Sequence, residues 1–528
     1  MAKQRRLAIA VAWMVVLGVL LAACREPVSW AMGTPKRDSQ LSEARTAAFF
    51  DTIRDDPAAL AAFLHAMPKG GDLHNHPSGA EYAERFISYA AGDGLCVDLA
   101  LMTLVAPTPP CDAGAGRPAA ASALADPSLY NALVDAWSMR DWDPQRPGRG
   151  QFFATFRRFG LAWDRHYEDV LADIISQAAA ENVYYLELMY GDDQGRASGV
   201  GARIGWDDNL ERLHGRLLAA RIADAVAIAR RDLDTVEAHV RSRLRCGTPV
   251  ADRGCAVMVR YLRTVNRALP PEQIFAQLVA GYQLVQTDPR VVGINLAGIE
   301  DGYVARRDYR LQMAMLDYLH GVAPDVPIAL HAGELAPGLV PPEDLRFHIR
   351  EAVERGHARR IGHGVDVMSE DDPSGLLAEM AKRKVLVEIL FKSNAEILGV
   401  TGDQHPFMTY RAADVPVALA TDDEGVSRSD MTAQFHHAVN AYHLRYTDLK
   451  QLARQSLEYA FLPGNSLWAR LSTAEPVAAC TGDRLGGDSL SRSCSNYLES
   501  NERAREQWRL ESAYIRFESG YLQHTQRT

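Results

Sequence analysis

The scarce features of the chain narrow its chemistry first. Only seven of 528 residues are cysteine. None is spaced CxxC or CxxxC, which argues against a cysteine-ligated zinc. Basic residues are in the minority, 57 Lys and Arg against 67 Asp and Glu, for a net charge of −10. Such a balance does not provide the basic stripe of a nucleic-acid surface. It suits a neutral or cationic small ligand better than a phosphorylated one. Neither GxGxxG nor GxxxxGK follows the first strand, so the turn that cradles a nucleotide phosphate is missing. No internal repeat is visible. What remains, 47% hydrophobic and 23% charged, is the composition of an enzyme-sized globule with a large core.

The N-terminus is different material. Lys3, Arg5 and Arg6 precede an apolar run from Leu7 to Ala23 that ends in Leu21-Ala22-Ala23-Cys24. This order is that of a secretory signal, expected over 1–24, although the run is also near the lower length for a membrane span. The ending resembles a bacterial lipobox, with Cys24 as the lipidated residue. Arg25 after it implies sorting to the outer membrane of a Gram-negative cell, so the expected location is exported, periplasmic or cell-envelope, with the membrane met only through the lipid. Residues 25–40 then read as a tether. The other six cysteines fall into sequence-local pairs, Cys96 with Cys111, Cys246 with Cys255 and Cys480 with Cys494. An even number beyond an export signal reads as disulfides, although six cysteines allow about fifteen connectivities.

Residues 41–69 carry apolar positions at helical spacing (Phe49, Phe50, Ile53, Leu60, Phe63, Leu64, Met67) and form a helical lead. Beyond it, short apolar runs alternate with helical patterns. The runs over 70–76, 183–190, 256–265, 291–298, 326–334, 359–364, 385–390 and 415–421 read as strands. Eight parallel βα units over 70–430 predict a (β/α)8 TIM barrel, with a doubly wound open sheet as the alternative. A long insertion after strand 1 is expected at about 92–150, and a helical C-terminal extension over 431–528.

The polar residues of interest cluster at the C-terminal ends of these strands, the face on which barrel active sites are built. In "GDLHNHPSG", His74 and His76 are two apart, so on an extended strand both rings point into the mouth and reach one metal ion. Hydrogen-bonded core histidines are the plainer reading of that pair. "HAGE" ends strand 5 with His331 and Glu334, "GHG" ends strand 6 with His363, and "TDDEG" ends strand 8 with Asp422 and Asp423. Adjacent buried acids are costly unless a cation compensates, the other reading being a cap or turn. Three imidazoles and a carboxylate match a catalytic zinc site with a position left for water, whose pKa zinc lowers to about 7. Trp137, Trp142, Phe152, Phe153 and Phe156 are either core between the insertion and the barrel or lining of a pocket.

Taken together, "MPKGGDLHNHPSGA", "VVGINLAGIED", "IALHAGE", "RRIGHGVDV" and "VPVALATDDEG" resemble, in order and strand context, the adenosine deaminase family of the amidohydrolase superfamily. The long lead, the export signal and the cysteine-containing insertion look like its extracellular, growth-factor-type branch. The resemblance covers about residues 41–470. It implies one Zn2+ per chain held by His74, His76, His331 and Asp422, and Glu334 as the proton donor to purine N1. It also implies His363 as acid/base and orienter of water, Asp423 as the partner of N7, and the Gly298 amide as the partner of N3. The implied reaction is hydrolytic deamination of adenosine or 2′-deoxyadenosine, with a small purine nucleoside as ligand, no nucleic acid, and an oligomeric state left open. Ser78 stands where many family members have an acid that contacts the ribose 5′-hydroxyl, which leaves the sugar, and other 6-aminopurines, open. Asn295 stands where aspartate is common, and "FKSN" replaces a more usual proline-containing segment. Related barrels that cleave amides or esters hold two metals bridged by a lysine ending strand 4. "INLAG" has none, which favours one metal and deamination.

Overall fold

A computed structural model describes residues 35–143, 148–191 and 195–522. The signal 1–24, the lipobox Cys24 and residues 25–34 of the tether lie outside the described residues. Residues 35–40 open a helix, Pro35–Ile53. From Ser42 onward the described residues form one compact unit, and the site belongs to it. No helix among the described residues is long and apolar enough to cross a membrane.

All eight expected strands are present: β1 (Gly70–Asn75), β2 (Val183–Tyr190), β3 (Met258–Asn266), β4 (Val291–Ala297), β5 (Ala329–Ala332), β6 (Arg360–His363), β7 (Leu386–Ile389) and β8 (Val417–Leu419). β1 to β4 pair in parallel in that order, as do β5 to β8. Two parallel bridges, Ile294 with Ile328 and Asn75 with Asp422, join the halves. At the second join Asp422 N–H donates to His74 O at 2.9 Å and His76 N–H to Asp422 O at 3.1 Å. A sheet joined at both edges is closed, so the fold is a (β/α)8 barrel and the open-sheet alternative falls. The strands read as near-continuous apolar runs because helices cover the outside while side chains fill the inside.

Helices follow the strands, and several start with a side-chain cap. Asp56 precedes Pro57–Ala66 and Asp126 precedes Pro127–Ala136, each accepting backbone N–H groups with proline at the first helical position. The last barrel helix is Tyr446–Glu458, which packs on β1 and β8, and Ser456 Oγ accepts the Gly71 N–H at 2.8 Å. The barrel therefore runs past residue 430, because the chain reaches this helix only after Met431–Tyr442.

The insertion after β1 holds a hairpin (Cys96–Asp98 with Thr103–Val105) and leads into a long helix, Arg149–Ala180, broken at His166. A second excursion, between β2 and β3, carries the helices Arg196–Ile204, Leu210–Ala219 and Ala223–Arg243. The three local disulfides are formed, Cys96–Cys111, Cys246–Cys255 and Cys480–Cys494. The last ties together a small lobe whose own core includes Leu467, Trp468, Leu498 and Trp508.

Candidate metal centre and its cavity

Four strand ends deliver their polar side chains to one point. His76 Nε2 and His331 Nε2 approach to 3.0 Å. Asp422 Oδ1 lies 3.7 Å from His74 Nε2 and 3.6 Å from His76 Nε2. Two overlapping clusters of ligating atoms result, His74/His76/His331 and His74/His363/Asp422. His363 and Asp422 hold φ of 70° and 63°, the left-handed region that is costly for residues with a Cβ and recurs at functional sites.

The hydrogen bonds behind the rings decide which nitrogens are free. His74 Nδ1 donates to Glu388 Oε2 at 2.7 Å, leaving Nε2 with a lone pair, buried and without a partner. His331 Nδ1 donates to Asn295 Oδ1 at 3.0 Å, which leaves its Nε2 unprotonated and facing His76 Nε2. Donation of the far ring nitrogen to a carboxylate or carbonyl is the arrangement that orients metal-binding histidines. His363 is different: its Nδ1 meets Asn394 Nδ2 at 2.9 Å and accepts from it. His74, His76, His331 and Asp422 thus fit a divalent metal, and the orphaned His74 Nε2 is the observation that speaks for one. His363 stands beside them as a fifth group.

Charge in the site follows burial. For His74 burial works to lower the pKa, but Glu388 and then Asp422 outweigh it and the value is raised. Burial holds His76 down to about 4 and His363 to about 3 against the pull of Asp422. It takes His331 well below its ordinary range, helped by the neighbouring His74 and His76. Burial, reinforced by Asp422 and Glu300, pushes Glu334 well above the usual carboxylate range. Asp423 rises for the same reasons, with Asp422 as its main neighbour. Burial thus favours the neutral form of the His76, His331 and His363 rings and the protonated form of the Glu334 carboxyl, the state needed to give a proton to a substrate.

These residues open into a cavity of about 220 Å³. Its floor is His76, His331, Glu334, His363, Asp422 and Asp423, and its sides include Ser78, Gly298, Ile299 and Ile397. Phe152, Phe153 and Phe156 of the long helix line it, whereas Trp137 is core, 1% exposed, with its indole N–H on Met102 O at 2.7 Å. Trp142 packs against the core rather than the cavity. No lysine or arginine is among the described lining residues. Arg149, near Phe153, is occupied by Asp301 at 2.7 Å. Two glycines are required by close approach. A Cβ on Gly362 would stand 2.6 Å from His74 Cε1, and one on Gly79 would overlap the Asp423 carboxylate.

Several contributors carry no motif. Glu388 passes its other oxygen to Arg360 Nε at 2.7 Å, and Arg360 Nη2 binds Glu187 Oε2 at 2.6 Å, so His74 stands on an ion chain buried in the barrel. Glu300 accepts the N–H groups of Gly333 and Glu334 at 3.1 and 2.9 Å and takes His348 Nδ1 at 2.6 Å. It thereby fixes the turn that carries Glu334. A charged residue inside an otherwise apolar strand, as in "VEIL" and "RRIG", is the only sequence signal for the ion chain.

The family model described as adenosine deaminase matches residues 219–472. Over 173 residues the chain is 28% identical to the adenosine deaminase of Clostridium perfringens strain 13, covering 32% of this chain and 47% of that one. Over 306 residues it is 28% identical to the adenine deaminase of Cupriavidus necator, covering 57% and 71%. The solved N6-methyl-AMP deaminase of Arabidopsis thaliana aligns with a TM-score of 0.47 and 18% identity, over 76% of this chain and 94% of that one. The chain spans about half the length of the Clostridium relative. The matched residues hold β3 to β8 with His331, Glu334, His363, Asp422 and Asp423, while β1 brings His74 and His76 to the same point from outside them. On the match over residues 219–472, the closed barrel and this convergence, the chain is similar to the adenosine deaminase family.

Proposed function

We propose that the protein removes the 6-amino group of a neutral purine nucleoside, adenosine or 2′-deoxyadenosine, by zinc-dependent hydrolysis. Water supplies the oxygen that replaces nitrogen at C6, and ammonia leaves. The observation that carries this reading is Glu334, a buried carboxyl biased to its protonated form in a cavity it shares with His76, His331 and Asp422, three of the four groups suited to a metal. An aromatic C6 resists attack until N1 gains a proton, and Glu334 holds one. His74, His76, His331 and Asp422 would hold the metal, which when bound supplies an activated water at neutral pH. Asp423, pushed toward its protonated form, would donate to N7, the Gly298 amide would donate to N3, and the phenylalanines of the lining would pack on the ring. The absence of lysine and arginine among the described lining residues supports an uncharged ligand over a phosphorylated one. Ser78 in place of an acid, with an adenine deaminase among the relatives, favours free adenine as the second reading.

We read the protein as exported and lipid-anchored through Cys24, in the manner of the growth-factor-type branch. The three disulfides support an oxidising compartment. The experiment is a panel of adenosine, 2′-deoxyadenosine, AMP and adenine, followed by loss of purine absorbance and release of ammonia. Turnover of the nucleosides is expected, with AMP at least tenfold poorer. Adenine as the best substrate would replace the nucleoside reading. Glu334→Gln should lose about 10³-fold or more of kcat while metal content is unchanged, since it removes a proton and not a ligand.

A further inference from the structure

We propose that Asn394 and His405 are positioning residues that lock His363 in the tautomer carrying its proton on Nε2. The direction of the chain is set by a main-chain group that can only donate. Phe407 N–H donates to His405 Nδ1 at 3.2 Å, so the neutral ring of His405 carries its proton on Nε2. His405 Nε2 lies 3.1 Å from Asn394 Oδ1 and donates to it. The other end of the same amide, Asn394 Nδ2, then faces His363 Nδ1 at 2.9 Å as a donor. A ring that accepts at Nδ1 and is neutral must be protonated at Nε2.

The lock is rigid because each member is enclosed. Asn394 is 0% exposed, His405 3% and His363 1%. Phe391 packs against His405 in a tilted arrangement, with ring centroids 5.1 Å apart and planes at 60°. Burial takes the pKa of His405 down to about 3, so the link stays neutral and keeps its polarity. All three come from different pieces of chain: His363 ends β6, Asn394 lies in the helix Phe391–Leu398 after β7, and His405 precedes the helix Phe407–Ala412. A strand end, a helix and a loop converging on one proton position is an arrangement for function, since a buried apolar contact would have cost less. The consequence at the cavity is a fixed donor: His363 keeps its N–H on Nε2, while its Nδ1 lone pair, 3.9 Å from Glu334 Oε1, is taken by Asn394. The inference deepens the deaminase reading, because a fixed donor beside C6 steadies oxygen as charge develops on it.

Tautomer is read directly from the imidazole nitrogens of the ligand-free, full-length protein labelled with 15N-histidine, with His363 assigned by its absence in His363→Asn. The wild type should show Nε2 protonated and Nδ1 bare. Asn394→Asp puts an acceptor opposite Nδ1 and should move the proton there, lowering kcat roughly 10²-fold with KM within about threefold. His405→Gln, which can accept from Phe407 and donate to Asn394, should keep several-fold more activity than His405→Leu. A wild-type His363 protonated on Nδ1 overturns the proposal whatever the variants do. An unchanged tautomer and kcat in Asn394→Asp overturns it too. The spectrum needs no substrate, so failure of every purine in the panel with Nε2 protonated would sink the substrate assignment and leave the lock standing.

Discussion

At the scale of single residues, two of the candidate metal-ligating rings, His74 and His331, are oriented by a partner on the far nitrogen. Asn295 is the clearest case, accepting from His331 Nδ1 while its amide nitrogen rests on Met189 Sδ at 2.8 Å. Its place in the sequence looked like a departure from an aspartate. In the structure the amide oxygen accepts from His331 Nδ1 without adding a charge. Asn295→Leu should weaken metal binding roughly 10- to 100-fold with the fold intact, measured by competition with a chromophoric chelator. Unaltered affinity would mean that His331 is oriented by something else. The motif residues themselves were legible because they end strands. Their supports were not, since Glu388 meets His74 across 314 positions and Arg360 meets Glu187 across 173. Only the closed barrel brings such residues together. The phenylalanines at 152, 153 and 156 were ambiguous for a related reason: helical spacing states that a face is covered, not whether protein or ligand covers it.

At the scale of elements, the eight strands were readable because each is buried on both sides and bounded by turns. The helices between β2 and β3 were not read as an excursion. Their short amphipathic patterns look like any βα crossover. Caps matter at this scale, and one of them titrates. Glu370 accepts the N–H groups of Ile349 and Arg350 at 2.6 and 3.2 Å, holding the start of the helix His348–Glu354, yet burial raises its pKa from 4.5 to about 7. The folded state therefore binds the proton more tightly than the unfolded one. Its contribution is most favourable below pH 4.5 and is lost as pH rises through about 7. By the size of that shift the loss is about 3 kcal/mol. Glu370→Gln keeps an acceptor and cannot ionise, so its stability relative to wild type should rise over this window, read as the difference in urea midpoints. A pH-independent difference would contradict the assignment.

At the scale of the whole molecule, the C-terminal helix Glu502–Leu522 is part of the barrel's support. Glu511 pairs with Arg454 of the last barrel helix at 2.7 and 2.9 Å, Glu518 takes Lys450 at 2.6 Å, and Tyr514 donates to Pro68 O just before β1 at 2.8 Å. The strand that carries His74 and His76 is thus braced by a segment more than four hundred residues away. Glu511→Ala leaves the Arg454 guanidinium buried without its partner and should cost about 3–5 kcal/mol in chemical unfolding. A loss below about 1 kcal/mol would show the extension to be an appendage. The helical character of this segment was visible in its sequence, but its role was not, because the pattern gives a covered face without naming what covers it.

The central claim is that one metal on His74, His76, His331 and Asp422 enables deamination in a cavity shared with Glu334. The direct measurement is ammonia release from adenosine by the full-length protein after chelation and dialysis, then during titration with zinc. Activity should vanish on depletion and return to a plateau at one zinc per chain, with His331→Ala failing to recover at that stoichiometry. Full activity in the metal-free protein, or a plateau at two, would contradict the account.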